Sequence, residues 1–215
     1  MVEYAIEALV RAGVTEVMVV TAATYLDAFV ELLGDGSHLG LAALDLGGQE
    51  RAGGIAEALG LAKSFVGSEP MVVMLADNIV ERSLRPTVAA FEANPVGARL
   101  VLSEVTEPEH LRHLGIAEFG DHGEVIRVHE KPQDPPSNYA VTGVYCYDAT
   151  VFDVISTLVP SGRGELEITD VNNHYIATGN LAHDVLAGFW GDAGESMQAY
   201  EDVNDFVATH GVNKD

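Results

Sequence analysis

Leu75-Ala76-Asp77-Asn78 closes a continuous apolar run that begins at Met71. Such a run reads as a buried strand, and in open parallel sheets ligands bind outside the carboxyl ends of the strands. A carboxylate placed there is a hard-oxygen ligand suited to Mg²⁺. The same residues also suit a plain strand-terminal Asx turn. Trp190-Gly191-Asp192-Ala193-Gly194 sets a second carboxylate between glycines, ahead of a helix. It reads either as an acidic helix start at the positive end of the dipole or as a partner for Asp77 on one Mg²⁺. Without a cation, two nearby carboxylates repel and one of them titrates high.

Two cations stand in short motifs of their own. His129-Glu130-Lys131-Pro132 contains one of only three lysines in the chain, the others being Lys63 and Lys214. Lys131 is therefore a candidate anion contact, set against a surface ion pair with Glu130 that would be worth little. Ser161 to Asp170 places Arg163 before an acidic helix start. That suits a phosphate-binding arginine or ordinary loop-to-helix capping. Gly47 to Ala56 is rich in glycine and leads into a helix, but it is neither a Walker A loop nor Gly-x-Gly-x-x-Gly. Its glycines permit close backbone approach to a ligand, or simply a flexible loop. The eight histidines form no metal-ligand spacing, and His110 and His113 are expected on the solvated surface. The single cysteine, Cys146, excludes an internal disulfide, and its place between Tyr145 and Tyr147 suits buried packing.

The elements that would carry these groups follow from periodicity. Val2–Arg11 has helical apolar spacing and stops at Gly13. Val17–Thr21 is β-branched and reads as a buried strand, and Thr24 is placed to cap the helix after it. Further strands are expected at Leu39–Leu46, Met71–Leu75, Arg99–Val105, Gly115–Phe119, Val125–His129 and Val141–Tyr147. Helices are expected from Gly53 through Lys63, and at Leu84–Ala93, Val151–Leu158, Glu167–Ala177 and Ser196–Val207. Strand alternating with helix predicts βαβ units, hence an α/β fold with a mixed, mostly parallel sheet flanked by helices. No linker or repeat divides the chain, so residues 1–215 read as a single domain.

Composition narrows the class of function. The 215 residues hold 33 Asp and Glu against 11 Lys and Arg, a formal charge of −22, yet 47% are hydrophobic. So acidic a chain repels phosphate backbones, which argues against a nucleic-acid binder. The apolar fraction argues against disorder, and no run of membrane-spanning length or leader is evident, so no membrane partner and a cytoplasmic location are expected. Acid excess with scarce lysine suggests a salt-loaded cytosol, where screening offsets self-repulsion.

Taken together, the motifs resemble the sugar-phosphate nucleotidyltransferases, specifically their thymidylyltransferase branch. The segments that carry the resemblance, in order, are Leu32–Ser37, Gln49 with Gly54–Ala58, Ala76–Ile79, Gly115–Phe119, Glu130-Lys131-Pro132, Ser137–Tyr145 and Arg163–Thr169. They cover nearly the whole chain. The resemblance implies a nucleotide-diphospho-sugar transferase fold and Mg²⁺-dependent transfer of a thymidylyl group from dTTP to a sugar 1-phosphate, with glucose 1-phosphate the expected acceptor. It implies that Asp77 and Asp192 hold Mg²⁺, and that Lys131 and Arg163 grip the sugar phosphate. Glu130 and the Gly115 backbone would bind sugar hydroxyls, with Val141 and Tyr145 shaping that pocket. Gln49 and Gly54 would meet the thymine. The oligomeric state, a homo-oligomer included, stays open.

The departures set further expectations. The family opens with a strand and a Gly-x-Gly-Thr-Arg loop around the triphosphate, and Met1 falls beyond both. Two strands with unpaired edges are therefore expected in the sheet, along with feeble turnover. Glu50 and Ala52 replace prolines, and Asp192-Ala193-Gly194-Glu195 replaces Asp-Thr-Gly-Thr. Two readings follow. One is a thymidylyltransferase. The other is an impaired homologue that serves as a sugar-phosphate or partner-binding module.

Overall fold

The computed structural model describes residues 1–214. The chain runs α1 (Val2–Ala12), β1 (Glu16–Ala22), α2 (Leu26–Leu33), β2 (Ala43–Gln49), α3 (Ile55–Leu61), α4 (Lys63–Val66), β3 (Met71–Met74) and β4 (Asn78–Val80). It continues α5 (Arg85–Glu92), β5 (Ala98–Glu104), α6 (Pro108–Leu111), β6 (Gly115–Phe119), β7 (Val125–Glu130) and β8 (Tyr139–Tyr147). The last elements are α7 (Val151–Thr157), α8 (Ile168–Ala177), β9 (Leu181–Val185), β10 (Trp190–Asp192) and α9 (Met197–His210).

β8 organises the main sheet. It pairs antiparallel with β3, with Val72 opposite Cys146, and with β5, with Leu100 opposite Tyr145. It also meets β6 at Ala140, and β6 pairs antiparallel with β7. β5 pairs parallel with β9, and β1 pairs parallel with β2. The sheet is mixed as expected but not mostly parallel, for among the described pairings of the main sheet only β5 with β9 is parallel. Its antiparallel share exceeds what strand–helix alternation predicts, because β6, β7 and β8 turn back on one another without an intervening helix.

Both faces are covered. On one face β5, β6 and β8 pack Leu100, Leu102, Ala117 and Tyr147 against α3, α7 and α8. On the other, α1 buries Ala8 and Ala12 beside Val88 of α5 and Val101 and Val144 of the sheet. Cys146 is fully buried, which excludes the thiolate and pushes the thiol up to about 12. No helix among the described residues is long and apolar enough to cross a membrane.

Several boundaries differ from the periodicity. The second strand starts at Ala43, not Leu39, because Ser37–Leu39 forms a 3₁₀ turn closed by Gly40 at φ 85°. Thr24 does not cap α2; it lies inside a 3₁₀ turn, Ala23–Tyr25, that leads straight into the helix. Gly53 through Lys63 is broken at Ala62, between α3 and α4. β1 is less buried than its β-branched run predicts, with only Val17 fully covered. The cause is an apolar cleft of about 570 Å³ lined by Val17–Val20 of β1, Met71–Met74 of β3, and Ile6 and Leu9 of α1. β1 pairs with β2 and β3 with β8, so each presents its other edge toward this cleft.

Candidate active site

The first cluster lies where β3 runs out. Asp77 follows β3, and β4 then pairs antiparallel with β10, so that Asn78 stands opposite Asp192. The Ala193 N–H donates to the Asp77 carbonyl at 2.9 Å, which fixes the second loop over the first. Gly194 sits between the two carboxylates. A Cβ there would lie 2.3 Å from Asp77 Oδ2 and 3.3 Å from Asp192 Oδ1, so only glycine lets them converge. Burial raises the Asp192 carboxyl above the usual aspartate range, and the charges of Asp77 and Glu195 raise it further. The Gly194 N–H and the charge of His110 oppose that shift without reversing it. Among the described residues no three His, Cys, Asp or Glu side chains are arranged to hold a metal ion. Two converging carboxylates with spare oxygens nevertheless suit a hard cation that completes its shell from waters and substrate phosphate, as Mg²⁺ does.

The second cluster gathers where β6, β7 and α8 meet. Gly115 stands opposite Glu130 in the β6–β7 register. Glu130 Oε2 accepts from Thr169 Oγ1 at 2.7 Å, and Glu130 Oε1 from Arg163 Nη2 at 3.2 Å. Arg163 also donates twice to Glu167, at 2.9 and 3.3 Å, and lies 3.6 Å from Glu165. This guanidinium is therefore held by three carboxylates, and the hydrogen bond to Glu167 leads in raising its already high pKa. Burial would push Glu167 up, but hydrogen bonds from Ser161 and Arg163 and the charges of Arg163 and Lys131 bring it below the usual range. Glu130 is engaged by Arg163 and Thr169, so the surface pair between Glu130 and Lys131 does not form. Lys131 is exposed and adopts φ 45°, a left-handed conformation that lysine rarely takes. Strain of this kind is concentrated at functional sites.

The third cluster is the loop between β2 and α3. Gln49 ends β2, and its Nε2 donates to the Gly54 carbonyl at 3.3 Å and to Glu57 Oε1 at 3.1 Å. Arg51 pairs with the other oxygen of Glu57 and reaches the Gly164 carbonyl at 3.5 Å. Gly54 has φ 94°, and a Cβ there would lie 2.4 Å from the Leu166 carbonyl oxygen. Backbone bonds from Leu166 to Gly53 at 2.8 Å and from Ala56 to Leu166 at 3.2 Å lock this loop to the one that carries Arg163.

The structure thus brings Asp77 and Asp192 together, groups Gly115, Glu130 and Arg163, and ties Gln49 and Gly54 to that second group through Leu166. Tyr145 lies beneath the clusters rather than on a pocket wall. It is 4% exposed and stacked on Tyr147 at 5.9 Å. Burial raises its phenol above the usual range, and the charges of Glu130, Asp192 and Asp77 add to the shift, so it lies within reach of both acidic clusters. Val141 packs half-buried against the same core. His110 is not a solvated surface group: its Nε2 lies 2.5 Å from Glu195 Oε2, at ion-pair distance but without hydrogen-bond geometry. Sequence reasoning missed Asn78, Thr169, Glu57 and Arg51 as organising residues. Of these, only Arg51 and Glu57 carried a local signal, as opposite charges six apart in the glycine-rich stretch.

Known proteins resemble this chain in sequence and in fold. The model of the nucleotidyl transferase family matches residues 1–210. The chain is 39% identical to the low-salt glycan biosynthesis nucleotidyltransferase Agl11 of Haloferax volcanii, over 93% of this chain and 55% of that protein. It is 37% identical to a glucose-1-phosphate thymidylyltransferase of Xanthomonas campestris pv. campestris, over 97% of this chain and 70% of the relative. It thus spans about half the length of the first relative and 70% of the second. The crystal structure of a Bacillus anthracis protein assigned as a glucose-1-phosphate thymidylyltransferase superposes with a TM-score of 0.89 at 38% identity, covering 97% of this chain and 82% of that one. A UDP-glucose pyrophosphorylase superposes with a TM-score of 0.81 at 22% identity, a likeness of fold.

Proposed function

The chain belongs to the nucleotidyl transferase family, and on that premise we propose that it transfers a thymidylyl group from dTTP to a sugar 1-phosphate, with glucose 1-phosphate as the acceptor. The observation that carries this reading is the convergence of Asp77 and Asp192 over Gly194, where β4 and β10 pair beyond the end of β3.

In this reading a phosphate oxygen of the sugar 1-phosphate attacks the α-phosphorus of dTTP in line. The bond to the β-phosphate oxygen breaks, and its electron pair leaves with pyrophosphate. Such transfer asks little of the protein beyond alignment and charge neutralisation. Asp77 and Asp192 are the residues to hold Mg²⁺, which supplies neutralisation of the phosphate charge when bound. Lys131 closes no ion pair among the described residues, although its charge acts on Glu167, and is the better placed cation for the acceptor phosphate. Arg163 is saturated by Glu130, Glu165 and Glu167, so its part is to order the acidic residues that face the sugar hydroxyls. Glu130 and the Gly115 backbone then serve the sugar, with Val141 and Tyr145 supporting that floor. Gln49 and Gly54 serve the base. The acid excess supports a salt-loaded cytosol as the setting.

The test is direct. Purified protein with dTTP, glucose 1-phosphate and Mg²⁺ in molar salt should release pyrophosphate and yield dTDP-glucose, identified by mass. Preference for another triphosphate would overturn the base assignment. Absence of any nucleotide sugar with all common triphosphates and hexose 1-phosphates would overturn the transferase reading.

A further inference from the structure

The Gln49 side chain is held in one polarity. Its two amide hydrogens are both spent, on the Gly54 carbonyl and on Glu57. Both partners are acceptor-only groups, a main-chain oxygen and a carboxylate, so the NH₂ must face them. The amide oxygen, Oε1, is left with no partner among the described residues. Glu57 is itself anchored: its second oxygen pairs with Arg51, which also reaches Gly164. The carboxylate therefore lies against a cation, in a chain with only 11 of them.

We infer that Glu57 is a positioning residue for nucleobase selection: it turns the Gln49 amide so that a carbonyl oxygen, not an N–H, meets the base. The inference rests on the assignment of Gln49 to the nucleobase made above. A carbonyl oxygen accepts from the ring N–H of an imide base such as thymine or uracil. It faces lone pair to lone pair with the bare ring nitrogen of cytosine. A site built to accept one hydrogen bond rejects the analogue that cannot donate it, because the buried acceptor is left unpaired. Amide polarity is silent about the 5-methyl group, so thymine and uracil are not separated by it.

Calorimetric titration of the intact protein with dTTP, dUTP and dCTP tests this in wild type and three variants. Wild type is expected to favour dTTP over dCTP by about tenfold or more. Glu57→Gln, nearly isosteric, can donate as well as accept, so only the longer bond to the Gly54 carbonyl, at 3.3 Å, still opposes a turn of Gln49, and the dTTP:dCTP ratio should fall to about threefold or less. The dTTP:dUTP ratio should not change. Glu57→Asp keeps an acceptor-only carboxylate and should retain most of the preference. Arg51→Ala removes the loop's ion pair but leaves the acceptor, and should also retain it. In the unliganded protein, the ¹⁵N-edited NMR signals of the Gln49 side-chain amide should move in Glu57→Gln and stay in Arg51→Ala.

Wild-type protein that binds dCTP as well as dTTP, or binds neither, overturns the assignment of Gln49 to the base. Wild type that discriminates, together with a folded Glu57→Gln that discriminates equally, overturns the role of Glu57 alone. Loss of preference in Arg51→Ala as complete as in Glu57→Gln also overturns it, because loop order rather than amide polarity would then set the selection.

Discussion

Asn78 Oδ1 accepts the indole N–H of Trp190 at 2.7 Å, across 112 positions of sequence. The same oxygen accepts the Gly143 backbone N–H at 2.8 Å, and Asn78 Nδ2 donates to Asp77 Oδ1 at 3.0 Å. One side chain, 1% exposed, therefore joins β4, β8 and β10 and aims a carboxylate at the same time. Asp77 and Asp192 owe their convergence to this residue as much as to their own strands.

Asn78→Ala strands a buried indole N–H and a buried backbone N–H and releases Asp77. Unsatisfied buried donors cost about 1–3 kcal/mol each, so a loss of about 2–4 kcal/mol is expected. Urea denaturation should show a lower midpoint at an unchanged slope. A loss below about 1 kcal/mol would mean that water replaces the side chain.

Asp192 gives a pH signature. Its carboxyl titrates above the ordinary value of 3.8 because it is desolvated and faces Asp77. The native state thus holds a proton that the unfolded chain has already lost, and stability falls as pH rises from about 3.8 through the folded value. The ionised side chain is a destabilising charge at neutral pH. Asp192→Asn should melt a few degrees above wild type at pH 7 without divalent cations. The gap should close on acidification, and millimolar Mg²⁺ should reverse the order by stabilising wild type alone.

Gly194→Ala isolates carboxylate convergence from carboxylate chemistry. Both aspartates remain, but the new methyl group occupies the space 2.3 Å from Asp77 Oδ2. Melting temperature without Mg²⁺ should stay within about 3 °C of wild type, because Gly194 is exposed. The Mg²⁺-induced rise should vanish. A variant with the full Mg²⁺ response would show that the two carboxylates need not meet.

How much of this was legible depended on range. The apolar run Met71–Leu75 announced a strand, and Asp77 at its end followed from general sheet geometry. β4 and β10 are three residues each and make no periodic pattern. Their pairing, which sets Asn78 opposite Asp192, was invisible for that reason. Arg163 read either as a phosphate contact or as an ordinary loop-to-helix cap. Its neighbours Glu165 and Glu167 were in plain view, but Glu130, 33 positions away, arrives only when β7 folds beside α8. Cys146 was read correctly because alternation in a central strand leaves little choice. Thr24 was misread because a hydroxyl before an apolar stripe caps a helix only if the chain enters extended, and here it enters through a 3₁₀ turn.

The net charge of −22 predicts salt-dependent stability. Screening length falls from about 10 Å at 0.1 M to about 3 Å at 1 M. Most of the excess acid is on the surface, so the melting temperature should climb by several degrees over that range, equally in NaCl and KCl. A flat response would mean that local pairs such as Arg99 with Asp184, at 2.7 Å, already cancel the repulsion.

Lys131 and Arg163 should separate binding from architecture. Lys131 closes no ion pair among the described residues and sits in a left-handed backbone at φ 45°. Lys131→Ala should weaken glucose 1-phosphate binding by roughly 10- to 100-fold, the worth of a charge-assisted bond to phosphate. It should leave the melting temperature within about 2 °C, since alanine keeps the same Cβ at this positive φ and the exposed side chain contributes little. Arg163→Ala acts differently, because it leaves Glu130, Glu165 and Glu167 facing one another without a cation. Thermal stability should fall at neutral pH and recover in acid as those carboxylates protonate, and sugar-phosphate affinity should fall with it. Calorimetry and melting curves on both variants decide the matter. Equal losses of stability would place Lys131 within the acidic cluster after all, and an undiminished affinity in Lys131→Ala would remove it from the phosphate site.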